Sequence, residues 1–292
     1  MRPPATGRPA ARRRAVTSVL VATLLGISGC ASAVVAPPAG PRTATLRTAD
    51  GDRTAIVHRG SSAAARAPLV VVLHGAGGAG IDMGTNLGWD ALADREGLVV
   101  AYPDGLDRTW NAGACCGPAR DRNVDDVGFL DALVALLRRD DGVGDVYAVG
   151  FSNGAMMSYA WACARPGALA GIGPVAGALT VDCPAPAPLT VVAVHGNRDD
   201  RVPIEGGRGP SGVLFPSLDA SLTPFRTAAG CPAAAPTVEG PARVDARACA
   251  GHAVVSDVVD GLTHVWPGAG RQAGRTDGPL DATGFLWAHL RG

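Results

Sequence analysis

Gly150-Phe151-Ser152-Asn153-Gly154 follows the apolar run Asp145-Val146-Tyr147-Ala148-Val149 and precedes Ala155-Met156-Met157-Ser158-Tyr159-Ala160-Trp161-Ala162. The run before the pentapeptide has the continuous apolar character of a strand buried on both faces. The segment after it reads as a helix. A G-x-S-x-G unit between strand and helix is a turn so tight that neighbouring side chains would crowd, and glycine at 150 and 154 relieves the crowding. The serine hydroxyl then projects alone above the sheet. The next backbone N–H, that of Asn153, faces the place where an oxyanion would develop. In a chain with 40 Gly the pentapeptide alone can arise from composition, so the strand and helix flanks carry the reading.

The same reading extends in both directions. Thr43-Ala44-Thr45-Leu46-Arg47 and Thr54-Ala55-Ile56-Val57-His58 flank Asp50-Gly51-Asp52, which predicts an antiparallel hairpin. Leu69-Val70-Val71-Val72-Leu73, Leu98-Val99-Val100-Ala101-Tyr102 and Leu189-Thr190-Val191-Val192-Ala193-Val194 are expected as further buried strands. Val124 to Arg139 has helical periodicity, and Asp281 to Leu290 reads as a terminal helix. Asp125 and Asp126 are expected to cap the first of these helices, with negative charge at its positive end. Strands alternating with helices after an N-terminal hairpin predict a single α/β domain, a mostly parallel sheet with helices on both faces. With a serine at a strand-to-helix turn, this is the pattern of an α/β-hydrolase and its nucleophile elbow. Neither an internal repeat nor a second domain is visible.

Serine alone is a poor nucleophile. It needs a base, and the base needs an orienting carboxylate. In α/β-hydrolases the acid and then the histidine follow the serine, each on a loop after a strand. After Val194 comes His195-Gly196-Asn197-Arg198-Asp199-Asp200-Arg201-Val202-Pro203. After Val254-Val255-Ser256-Asp257-Val258-Val259 comes Asp260-Gly261-Leu262-Thr263-His264-Val265-Trp266-Pro267-Gly268. These supply Asp199 as the acid, with Asp200 as its rival, and His264 as the base. Among the other histidines, His58 and His289 read as surface, and nothing singles out His252. His74 and His195 stand in strand–His-Gly contexts, where a ring more often holds backbone than takes a proton. The second oxyanion donor is expected in the glycine-rich stretch after Leu73, at Ala76 or Gly77, with Ala76 preferred.

Gly75-Ala76-Gly77-Gly78-Ala79-Gly80 also fits the G-x-G-x-x-G dinucleotide fingerprint, with Asp94 downstream. A dinucleotide-binding oxidoreductase is the weaker alternative. Asp94 precedes the strand that a ribose-binding acid should close, and the serine with its two partners would be left unexplained. Neither a cofactor nor a metal is expected. Trp110 and Trp266 lie near the loops of the site; they are candidate walls of a substrate pocket, with the core as the alternative.

Taken together, these residues resemble the polyhydroxybutyrate depolymerase, feruloyl esterase and acetylxylan esterase-like hydrolases of carbohydrate esterase family 1. The matching stretches are Leu73-His74-Gly75 with its glycine loop, Trp110-Asn111-Ala112-Gly113-Ala114-Cys115-Cys116-Gly117 and Val124-Asp125-Asp126-Val127-Gly128-Phe129-Leu130. They continue through Gly150 to Met157, Pro174-Val175-Ala176-Gly177, His195-Gly196 with Asp199 and Val202-Pro203, and His264-Val265-Trp266-Pro267-Gly268. The resemblance implies the same triad, Ser152, Asp199 and His264. Many relatives carry cysteine where this chain has Ala76, a change that keeps a backbone donor. Polymer-degrading relatives often add a separate binding domain. This chain ends at Gly292, shortly after His264, so small soluble esters are expected rather than insoluble polyester. The Gly/Pro-rich stretch from Gly206 to Pro216 is not expected to form an amphipathic lid. A catalytically silent binding protein of the cell envelope on the same scaffold is the alternative from another class, and the complete triad speaks against it.

Lys and Arg together number 26, as do Asp and Glu, so no net charge directs the chain to nucleic acid or anionic lipid. Arg2, Arg8 and Arg12-Arg13-Arg14, followed by apolar Ala15 to Ile27, predict an export leader too short to span a bilayer comfortably. Leu25-Gly26-Ile27-Ser28-Gly29-Cys30 resembles a bacterial lipobox, with Cys30 lipidated; cleavage near Ala31-Ser32-Ala33 is the alternative. The expected organisation is a leader over 1–30, an Ala/Pro-rich linker over 31–42 and a catalytic domain over 43–292. The expected location is the outer face of the cell membrane through a lipid anchor only, or the medium. The six remaining cysteines are expected in disulfides, Cys231 with Cys249 favoured because both lie in one loop-rich segment. Adjacent Cys115 and Cys116 are expected not to join each other, because a trans peptide fixes their Cα spacing poorly for a bridge. The partners of Cys115, Cys116, Cys163 and Cys183 stay open.

Overall fold

In the computed structural model the chain divides into two compact units, 1–35 and 36–292. The structure describes Met1 and residues 40–232, 237–239, 242–269 and 280–292. The expected leader, Cys30 and the linker as far as residue 39 lie outside the described residues.

The hairpin is β1 (Gly40–Thr48) with β2 (Gly51–Arg59), in register from Gly40 opposite Arg59 to Thr48 opposite Gly51. There follow β3 (Leu69–Leu73), α1 (Ile81–Leu87), α2 (Trp89–Glu96), β4 (Val99–Pro103), α3 (Gly117–Asp121) and α4 (Asp126–Asp140). Next come β5 (Val146–Phe151), α5 (Asn153–Ala164), β6 (Gly171–Val175), β7 (Thr190–Gly196), β8 (Gly207–Arg208), β9 (Leu214–Phe215) and α6 (Leu218–Ala228). The chain closes with β10 (Thr237–Glu239), β11 (Ala242–Ala248), β12 (Ala253–Val259) and α7 (Ala282–Leu290). The described strands form a ten-stranded sheet in the order β1-β2-β4-β3-β5-β6-β7-β12-β11-β10, with β8 and β9 as a separate pair. From β4 to β12 the neighbours run parallel; antiparallel strands close both edges.

Side chains alternate between two cores, as the pleat requires. Leu69, Val71 and Leu73 of β3 join Phe129 and Leu133 of α4 and Met156 and Tyr159 of α5 on one face. Val70 and Val72 join Trp89 and Leu92 of α2 and Leu286 and Trp287 of α7 on the other. Helix α4 buries Phe129, Leu130, Leu133, Val134 and Leu137, an i, i+3/i+4 stripe against the sheet. The two acids before it divide their work. Asp125 caps α4, accepting from the Gly128 N–H at 2.8 Å. Asp126, expected as a second cap, is instead fully buried and accepts from Arg53 of β2 at 2.7 Å.

Strand β6 has no apolar run to announce it. Its glycines serve the packing of α7: a Cβ on Gly171 would crowd Leu290, and one on Gly173 would crowd Val149 and Leu286. Glycine here lets a helix lie close to the sheet.

The described cysteines are all paired. Cys163 joins Cys183 and Cys231 joins Cys249, with Cα separations of 5.3 and 4.4 Å. Cys115 and Cys116 join each other, contrary to expectation. The expectation assumed a trans peptide, whereas this one is cis, with the Cα atoms 3.1 Å apart.

Asp257 of β12 lies on the same side as Val255 and Val259, faces α7, and is 1% exposed. Among the described residues its Oδ1 has no hydrogen-bond partner. Burial raises its pKa from 3.8 to about 6, partly offset by His289. The folded state therefore holds this proton more tightly than the unfolded chain. The stability it contributes is complete below about pH 4 and is lost as pH rises through about 6. Asp257→Asn is expected to melt with the native protein at pH 4 and above it at pH 8, by roughly 2–3 kcal/mol. Thermal melts at the two pH values check this.

Candidate active site

Ser152 stands between β5 and α5 at φ 54°, ψ −117°. A non-glycine residue there costs on the order of 1–3 kcal/mol and persists only when its surroundings hold it. Two backbone bonds do so: the Ser152 N–H donates to Val175 of β6 at 2.9 Å, and the Ser152 carbonyl accepts from Met156 at 3.0 Å. A Cβ on Gly150 would run into the Gly154 backbone, and one on Gly154 into the Leu73 and His74 carbonyls. Both glycines of the pentapeptide are thus required by close approach.

His264, on the loop after β12, reaches both candidate partners. Its Nε2 lies 2.9 Å from Ser152 Oγ and its Nδ1 2.8 Å from Asp199 Oδ2. A carboxylate accepts, so Nδ1 carries the proton and the Nε2 lone pair is left for the serine hydroxyl. Asp199, on the loop after β7, has Oδ1 filled by the backbone N–H groups of Arg201 and Val202, each at 2.9 Å. Burial alone would raise this carboxyl. Donation from His195, His264 and Val202 outweighs burial and holds its pKa well below the usual carboxylate range. Asp200, the rival acid, is exposed, and among the described residues His264 bonds to Asp199 and not to it.

The neighbouring histidines are structural. His195 donates from Nε2 to the Val202 carbonyl at 2.8 Å, with Asp199 Oδ2 at 3.3 Å. His74 donates from Nδ1 to the Gly75 carbonyl at 2.8 Å and accepts from the Gly105 N–H at Nε2 at 2.9 Å. That pattern requires the neutral ring, and burial lowers its pKa accordingly.

Two backbone N–H groups beside Ser152, those of Asn153 and Ala76, have no hydrogen-bond partner among the described residues. Their segments are braced by Trp110. The Asn153 side chain accepts from the Trp110 N–H at 2.8 Å and donates to its carbonyl at 3.0 Å. The Trp110 indole donates to the His74 carbonyl at 2.9 Å. Trp110 is thus fully buried beneath the site and forms no pocket wall. Trp266 is also in the core, donating to Thr283 at 3.2 Å. The clamp between Trp110 and Asn153 was not foreseen; the one sequence signal for it was the Trp-Asn pair opening the stretch that ends in Cys115-Cys116.

Ser152 and His264 open into a cavity of about 180 Å³. Met156, Val202, Pro210, Phe215 and the Cys115–Cys116 pair give it a mainly apolar wall, with Ala76 at its edge. Pro210 and Phe215 belong to the β8–β9 segment, expected to be too rich in Gly and Pro for a lid. It forms a small antiparallel hairpin against the cavity. The glycine-rich stretch after β3 leads into the seven-residue helix α1, and Asp94 sits in α2, bound to His58 and Ser61. The acid that does close that strand, Asp104 after β4, is already engaged, accepting from the Gly80 N–H and the Thr54 hydroxyl, each at 2.8 Å. Among the described residues no group of three or more His, Cys, Asp or Glu is placed to hold a metal ion.

A mostly parallel sheet, a serine at the strand-to-helix turn and an acid and a histidine on two later strand ends together define an α/β-hydrolase. Residues 54–206, a little over half of the chain, match the family model described as esterase PHB depolymerase, and the chain belongs to that family. It is 32% identical over 234 residues to NocK of Nocardia uniformis subsp. tsuyamanensis, a protein named as an esterase, covering 69% of this chain and 66% of that one. It is 32% identical over 123 residues to feruloyl esterase C of Emericella nidulans, covering 41% of this chain and 42% of that one. The chain thus spans just under two thirds of the first relative and about two fifths of the second. In fold it is similar to the acetyl xylan esterase from Aspergillus awamori, with a TM-score of 0.57 at 14% identity, covering 84% of this chain and 99% of that one.

Proposed function

We propose that the chain is an exported serine esterase acting on small soluble carboxylic esters, of short-acyl, feruloyl or hydroxybutyrate-oligomer type. One observation carries the proposal: the unbroken line from Ser152 Oγ through both nitrogens of His264 to Asp199 Oδ2. His264 Nε2 takes the hydroxyl proton as Oγ attacks the ester carbonyl. The Asn153 and Ala76 N–H groups receive the developing oxyanion. The tetrahedral adduct collapses by breaking the bond to the alcohol oxygen, to which His264 returns the proton. Water, deprotonated by the same ring, then releases the acid from the acyl-enzyme. Asp199 stays ionised throughout and stabilises the imidazolium. No group beyond these side chains and backbone donors is needed. The names of the relatives, esterase and feruloyl esterase, agree with this chemistry. Hydrolysis of p-nitrophenyl acetate, lost in Ser152→Ala, tests it and separates it from a silent binding protein.

Export, with lipidation at Cys30 or simple secretion, is supported by the N-terminal sequence. Among the described residues no helix is long and apolar enough to cross a membrane.

Substrate size follows from the cavity. At about 180 Å³ it falls below the roughly 300–1,000 Å³ of drug-sized sites. Each methylene left outside forfeits the about 0.8 kcal/mol that burial would contribute. Across p-nitrophenyl esters, kcat/KM is expected to peak at short acyl chains and to decline at long ones. A maximum at long chains, or clearing of a solid polyhydroxybutyrate film, would overturn this.

A further inference from the structure

We infer that Arg201 makes the site selective for esters that carry a second, free carboxylate; the inference rests on the esterase reading above. Arg201 lines the cavity beside Ser211, in a wall that is otherwise mainly apolar. Its main chain is pinned on both sides. The N–H donates to Asp199 Oδ1 at 2.9 Å, and the carbonyl lies so close to Gly209 of the hairpin loop that no Cβ would fit there.

The side chain is uncommitted. The residue is exposed, and no hydrogen bond or ion pair holds its guanidinium among the described residues. Some arginines end on an acceptor, Arg53 on Asp126, Arg165 on Asp131 and Arg208 of the hairpin on the Gly212 carbonyl. Arg66, Arg138 and Arg198 have no side-chain partner among the described residues, as Arg201 has none, but lie outside this cavity. The acid nearest in the chain that faces inward, Asp199, is filled by its own donors. Asp200 is exposed and not part of the cavity wall.

The cavity wall thus holds one arginine, Arg201, whose guanidinium is unpaired among the described residues and whose main chain is held two residues from the acid that orients His264. A guanidinium offers paired donors that match a carboxylate. The apolar wall takes the hydrocarbon between the two functional groups. Esters built from hydroxy acids carry such a carboxylate by construction, because the last unit leaves its acid free.

The test uses two matched pairs with the full chain. p-Nitrophenyl hemisuccinate against p-nitrophenyl succinamate places the charge on the acyl side. 3-Acetoxybutyrate against its primary amide places it on the alcohol side. In at least one pair the native protein is expected to favour the acid over the amide by about tenfold in kcat/KM, narrowing at high salt. Arg201→Gln brings that ratio close to one, and Arg201→Lys keeps part of it. A native ratio close to one in both pairs, or a ratio unchanged in Arg201→Gln, overturns the inference. p-Nitrophenyl acetate, run in parallel on Ser152→Ala, reads the esterase proposal separately: native-level turnover there sinks that proposal, whereas the acid-to-amide ratio speaks only to Arg201.

Discussion

Ser152→Ala, His264→Ala and Asp199→Ala are each expected to lower kcat by about 10⁴- to 10⁶-fold while the protein stays folded. The three side chains form one line of hydrogen bonds, so removing the first member leaves the others nothing to act through. A double variant is therefore expected to be little worse than the poorer single one. Some rate should survive over the uncatalysed reaction, because the Asn153 and Ala76 N–H groups remain. Asp200→Ala is the control. Asp200 is exposed, is not bonded to His264 among the described residues and does not line the cavity, so kcat should stay close to native. Steady-state kinetics with circular dichroism for each variant decide the matter. An Asp199→Ala enzyme with near-native kcat would overturn the assignment.

The second large effect lies beneath the site. Arg53 and Asp126 are both essentially buried, and their pair is joined to other structure on both sides. Arg53 also donates to the Asp104 carbonyl at 3.0 Å and lies 4.1 Å from the Phe129 ring centroid. The second oxygen of Asp126 accepts the Asn111 N–H at 2.7 Å. Burial raises the Asp126 pKa, and Asn111 and Arg53 offset this only in part. Asp126→Ala would leave a buried guanidinium and a backbone N–H without their partner. The expected cost is about 3–5 kcal/mol, against about 1 kcal/mol for Asp125→Ala next door, which loses only a helix cap. Because Asn111 adjoins Trp110, the loss should also lower kcat. Urea unfolding of the two variants side by side checks the contrast; equal losses would refute it.

The sequence made much of this legible where one residue type has one use. Apolar runs announced β3, β4, β5 and β7, because strands covered on both faces need apolar side chains at nearly every position. The pairs Val254-Val255 and Val258-Val259 marked β12 despite Ser256 and Asp257 between them. Strand β6 escaped: Gly171-Ile172-Gly173-Pro174-Val175 makes sense only once Leu286 and Leu290 of α7 are laid against it. Helix α6 was hidden by Pro224 within it, and β11 by its polar content. The strand–pentapeptide–helix pattern picked out Ser152, and chain order after it picked out Asp199 and His264. Asp200 stood as a rival to Asp199 because that choice turns on where two backbone N–H groups point. The Trp110 clamp and the burial of Asp126 depend on residues far apart in the chain, Asn153 and Arg53, which no local pattern names.

The β8–β9 hairpin separates two tasks that the chain could have combined. Ser152 and His264 hang from the ends of long sheet strands, where displacement would disturb the whole core. Pro210, Ser211 and Phe215 sit on a short ribbon outside that sheet. Changes in the ribbon can therefore reshape what the cavity admits without moving Ser152 or His264, the proposed reacting pair. Such a division leaves substrate choice free to drift between lineages while the reaction stays the same.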